Sequence, residues 1–137
     1  MSISHTITFS YTTSSGTINQ TATITAEAEE RQEVPIASDA ADYEIDVHIP
    51  DGEVKAFIIL ADQNLSLEYN DAIGTNGDIT LTADVPHLWW EDAPWSLVNI
   101  MSYAGGAVNI TKFFVTNDSD PATATTLYIT TLYDATP

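Results

Sequence analysis

Cysteine is absent from the sequence. That removes disulfide staples, thiol nucleophiles and thiolate metal sites at once, and it leaves stability to an apolar core. Basic side chains are almost absent as well. Arg31, Lys55 and Lys112 stand against twenty aspartates and glutamates, for a formal net charge of −17. Nucleic-acid affinity comes mostly from Lys and Arg neutralising phosphates, and an anionic bilayer repels an acidic chain. Neither nucleic acid nor a membrane is therefore expected as a partner. No run approaches the roughly 18 apolar residues of a transmembrane helix. The first ten residues lack the basic start and apolar stretch of an export signal, so none is expected. Any helical period sustained over three turns is also missing.

What is present is two-residue alternation. Ile3, His5, Ile7, Phe9 and Tyr11 alternate with Ser4, Thr6, Thr8 and Ser10, which sets a mainly apolar face against a hydroxyl face. Thr13-Ser14-Ser15-Gly16 reads as a turn. A second strand follows, with Ile18, Ala22, Ile24, Ala26 and Ala28 on one side and Thr17, Thr21, Thr23, Thr25 and Glu27 on the other, so the pair forms a predicted hairpin. Residues 29–42 break the alternation and are expected to form a loop or one short helical turn. Tyr43 to Ile49 alternates again and ends at Pro50-Asp51-Gly52, where Pro fixes φ and Gly accepts positive φ.

Val54 to Ala61 contains Phe57-Ile58-Ile59-Leu60, a run suited to a strand covered on both faces. Further strands are predicted at Leu65 to Tyr69, Ile79 to Ala83, Leu97 to Tyr103, Val108 to Thr116 and Thr123 to Tyr133. Asn76-Gly77 is a hairpin dipeptide. Val85 to Trp95 carries two prolines and reads as an edge strand or loop. With 137 residues and 44% hydrophobic side chains, the chain reads as one domain over residues 1–137, an all-β antiparallel β-sandwich. A jelly roll is the first choice of architecture and an immunoglobulin-like sandwich the second.

Motifs for chemistry are sparse. No Gly-rich loop precedes a Lys-Ser/Thr pair, no Gly-x-Ser-x-Gly elbow occurs, and His5, His48 and His87 are isolated from one another. Asn70 to Asp78 is rich in oxygen ligands but lacks the calcium-loop pattern with its closing Glu, and it reads as a turn. Glu91-Asp92 is the one carboxylate pair beside aromatic rings; a catalytic acid there needs burial or a neighbour to tune it. Four Asn-x-Ser/Thr triplets begin at Asn19, Asn64, Asn109 and Asn117, and in a Thr-rich chain these are simplest as chance. No catalytic, cofactor-binding or metal-ligating residues are assigned, and no enzymatic activity is expected.

The strongest local feature is the tryptophan cluster. Trp89, Trp90 and Trp95 are all the tryptophans in the chain. Adjacent Trp89 and Trp90 on a strand point to opposite faces, so one can enter the core while the other faces outward. An outward ring suits an interface anchor or a stacking platform for a sugar. The simpler reading packs both into the core and its loops.

Four segments together carry a likeness: Ala61 to Leu67, Ile79 to Trp89, Thr111 to Asn117 and Thr131 to Pro137. In this order they resemble small all-β virion proteins of tailed bacteriophages, of the capsid cement or decoration type. The likeness covers residues 55–137 and hardly touches residues 1–50. It implies a structural protein that trimerises on the outer surface of the shell, binds the major capsid protein, is made in host cytoplasm and brings no catalytic residues or cofactors. A carbohydrate- or receptor-binding β-sandwich, resting on the tryptophans and on Glu91 and Asp92, is the alternative.

Overall fold

In the computed structural model, residues 2–71, 78–95 and 109–134 are described. Ten strands form among them: β1 (Ile3–Thr13), β2 (Gly16–Ala26), β3 (Ala28–Ile36), β4 (Tyr43–Ile49), β5 (Val54–Leu60), β6 (Leu65–Tyr69), β7 (Asp78–Leu81), β8 (His87–Trp90), β9 (Ile110–Asn117) and β10 (Thr125–Tyr133). From β3 onward the antiparallel pairs are nested. β3 pairs with β10, β4 with β9, β5 with β8, and β6 with β7. This is one long folded hairpin rolled over itself. Two further ladders, β10 with β5 and β9 with β6, close the roll into sheets of order β3-β10-β5-β8 and β4-β9-β6-β7. That strand order is the jelly roll, the first of the two expected architectures; the immunoglobulin-like alternative is not formed.

The inner faces of the two sheets meet in one core. Phe57, Ile59, Trp89, Leu127 and Ile129 come from the first sheet. Ile45, Val47, Leu65, Leu67, Tyr69, Phe113 and Val115 come from the second. Along β6 the alternation is strict: Leu65, Leu67 and Tyr69 are fully buried while Ser66 and Glu68 are half-buried on the other face. The turn at Pro50-Asp51-Gly52 forms as predicted, with Gly52 at φ 79° and the Val54 amide donating to the Pro50 carbonyl.

Residues 29–42 are where the sequence misleads. Most of the segment is β3, an edge strand bonded along its length to β10, and the loop is confined to residues 37–42. An edge strand has one backbone side and one face in water. It therefore tolerates Arg31, Glu33 and Pro35 outward, with Val34 and Ile36 supplying the inward contacts. Long-range pairing to β10 overrides a local pattern that looks irregular. The expected strand at Leu97 to Tyr103 and the Asn76-Gly77 turn lie outside the described residues.

The hairpin β1–β2 belongs to neither sheet. Its register is unbroken from Ile3↔Ala26 to Thr13↔Gly16. Strands of 11 residues at about 3.4 Å each make an arm of about 37 Å. The base of the arm lies over the outer face of the first sheet, where Ile24, Ala26, Ala56, Trp90 and Leu132 form a second apolar cluster flanked by Ile3, Ile7, Ala22 and Leu88. This explains the β5 run: Phe57 and Ile59 face the inner core while Ala56 faces the arm. Beyond Phe9 the arm leaves this cover, and residues 10–21 are all exposed.

Candidate interaction surface

The tryptophans separate as alternation requires, but the outward face is not solvent. Trp89 enters the inner core, its ring stacked on Phe57 with centroids 6.2 Å apart. Trp90 points to the opposite face and is buried beneath the arm, 5.1 Å from the Phe9 ring. The exposed member is Trp95, at 38%. It stands edge-on to Trp90 at 5.3 Å and donates from Nε1 to the Leu88 carbonyl at 3.3 Å. Of the two readings the sequence leaves open, the structure takes the one in which both rings are packed: the arm covers the ring that leaves the core.

Trp95 belongs to a shallow recess of about 310 Å³ lined by Phe9, Gln20, Trp90, Pro94 and Trp95. It lies where the arm departs from the body. Further along the same face of the arm, Tyr11 and Ile18 are paired across the strands and are 68% and 62% exposed. The opposite face is a ladder of polar pairs, with Ser4 to Thr25 at 3.0 Å and Thr12 to Thr17 at 3.1 Å joined by hydroxyl hydrogen bonds. Neither face carries an Asp, Glu, Lys or Arg side chain. The first acidic residue is Glu27 and the first basic one Arg31, so all the formal charge lies beyond the arm.

Charge in the body is one-sided, and its cations are engaged locally. Lys55 donates to Glu91 at 3.0 Å and sits 3.6 Å from Asp134. The bond to Glu91 and the charge of Glu91 raise the Lys55 pKa above its ordinary value, with Asp134 adding to the effect. Lys112 pairs with Glu44 and lies 3.5 Å from Asp46; Glu44 dominates in raising its pKa. Arg31 Nε lies 3.9 Å from Glu29, and Glu29 also meets His5 Nε2 at 2.6 Å, tying the arm's base to β3. With every basic side chain facing a carboxylate, the surplus charge outside these pairs is acidic.

The carboxylate pair Glu91-Asp92 is split in role. Glu91 is held by Lys55, while Asp92 is exposed in the turn that follows β8. His48 packs edge-on against Tyr133 with centroids 4.5 Å apart. Among the described residues no three His, Asp or Glu side chains converge as a metal site, and no helix is long and apolar enough to cross a membrane. Three of the four Asn-x-Ser/Thr asparagines have structural partners. Asn64 accepts from the Ala83 amide, Asn109 from the Asp51 amide, and Asn117 donates to the Ala37 and Thr123 carbonyls. Asn70, at φ 65°, marks the start of the predicted oxygen-rich loop and clamps β9 by accepting from the Thr111 amide and donating to the Asn109 carbonyl; residues 72–77 of that loop lie outside the described residues.

No protein-family model, no curated protein and no solved structure matches the chain.

Sequence reasoning missed Phe9, Tyr11 and Ile18 as surface features. Their alternation was plain, and the absence of charge before Glu27 is visible in the sequence. What the sequence does not display is where the cover over the hairpin's apolar face stops.

Proposed function

We propose that the protein is a non-enzymatic structural component of a virion. On this reading it is a cement protein of a tailed bacteriophage that docks on the outer surface of the major capsid shell and stabilises it. The observation that carries the reading is the one-sided charge. A body with −17 overall and its three basic side chains paired internally favours a macromolecular partner that presents positive charge. The fold agrees, since jelly rolls are the usual framework of viral capsid domains, an analogy at the level of fold. Among the described residues, the four segments that resemble phage cement proteins fall on β6 to β10 and their connections, strands drawn from both sheets.

The same fold also serves lectins, and Trp95 offers a ring to a sugar. The recess around it argues against that use. Among the described residues its walls are Phe9, Trp90, Pro94 and Trp95, with Gln20 as the sole polar one, whereas a sugar site needs several placed hydrogen-bonding groups.

Co-sedimentation with capsids assembled from the major capsid protein of the phage that encodes this chain tests the reading. Binding is expected at low salt and is expected to weaken steadily as salt rises, because the contact is between charges of opposite sign. Failure to bind at any salt, or a glycan-array signal that disappears in Trp95→Ala, contradicts it.

A further inference from the structure

We infer that the distal β1–β2 arm is a self-association surface whose occupant is a second copy of this chain. An isolated two-stranded hairpin is marginally stable in water. Here residues 10–21 project as such a hairpin, exposed along their length and paired into neither sheet of the described residues. Protein surfaces normally guard such strands with Lys, Pro, a bulge or a charge on the edge. This arm has none of these: its register is continuous and it carries no Pro and no charged side chain. Its mainly apolar face, interrupted by His5 and Gln20, instead runs from the buried base through Phe9 to exposed Tyr11 and Ile18.

Charge selects the occupant. Two copies of a body at −17 repel wherever their carboxylated surfaces approach. The arm is the extended surface on which they can meet without opposing like charges. A basic partner such as a capsid shell is attracted by the acidic body, whereas the neutral arm adds no charge attraction to it. Size selects the extent. A standard interface takes about 20–30 residues from each side, more than the arm's tip supplies. The contact therefore includes the recess at its root, where Pro94 and Trp95 continue the same apolar surface. The arm of one copy lies on the arm and the Trp95 shelf of its neighbour. This inference rests on the arm's own features and holds whether or not the body docks on a capsid.

Two salt dependences of opposite sign follow. Screening relieves repulsion between the bodies, so self-association holds or tightens as salt rises, while docking through charge weakens. Sedimentation velocity of the full chain at low and high salt, beside the double variant Tyr11→Asp/Ile18→Asp, reads this out. Neither side chain contacts the body's core, so circular dichroism and tryptophan fluorescence are expected to stay at wild-type values. The wild-type chain is expected as a dimer or trimer, and the variant is expected to lose about twofold or more in mass by becoming monomeric. Tyr128→Asp, on an exposed ring of the body, is expected to keep the wild-type mass. A wild-type monomer at high salt, or a variant of unchanged mass, overturns the inference. Arm amides that become protected from exchange only when capsids are added overturn it too, and assign the arm to the shell. Capsid binding by the monomeric variant separates a failure here from a failure of the proposed function.

Discussion

Trp90 and Trp95 touch one another yet stand in different environments, and their replacement separates the two. Trp90 is buried between the arm, β8 and the Trp95 ring, so Trp90→Ala removes the centre of the second apolar cluster. A cost of about 3–5 kcal/mol is expected from the lost burial and the cavity left behind. Trp95 keeps 38% of its surface in water. Trp95→Ala is expected to cost only about 0.5–1.5 kcal/mol, the order of one aromatic edge contact. Urea denaturation of both variants measures the difference; equal midpoints contradict this account of the cluster. The divergence of Trp89 and Trp90 was legible from strand geometry alone. The burial of both was only one of two open readings, because the cover over Trp90 comes from Phe9, some eighty residues earlier in the chain, and alternation cannot show that.

At the scale of elements, the edge strand β8 is tied to its neighbours at one end by a charge clamp. Lys55, on β5, reaches Glu91 just after β8 and Asp134 just after β10. The Lys55 pKa is raised in the folded chain, chiefly by its bond to Glu91. A raised lysine pKa means that folding favours the charged form. The stabilisation is complete below the ordinary lysine value of 10.5 and is lost as pH climbs through the raised one. Melting temperature is expected to fall above pH 10.5 more steeply in the wild-type chain than in Lys55→Met, with a small difference because the pair is partly exposed. Parallel curves contradict the clamp. The strands themselves were largely legible. Tyr43–Ile49 and Leu65–Tyr69 were marked by alternation at both ends, and β8 by the prolines near it. β3 was not, because Glu29, Arg31, Glu33 and Pro35 are acceptable only on an edge, and the sequence does not say which strand is an edge.

For the whole molecule, two kinds of surface are segregated. The jelly-roll body carries every formal charge, and the arm carries none. Nested pairing of distant strands gives the body its shape, and that pairing was legible only as a class of fold: alternation yields strands, whereas strand order depends on which crossings the core will close. The acidity was legible at once, but its meaning was not. The ion pairs add that the three cations each lie beside a local carboxylate, which leaves an acidic exterior on the body and a neutral extension in the arm. The proposed cement role demands more than binding, since a clamp between capsomers must raise the force or heat the shell withstands. The temperature at which capsids rupture, followed by light scattering with and without saturating protein, tests this most directly. The account predicts a higher rupture temperature with the protein bound, and an increment that shrinks as salt displaces it. An unchanged rupture temperature on capsids that carry bound protein would contradict it.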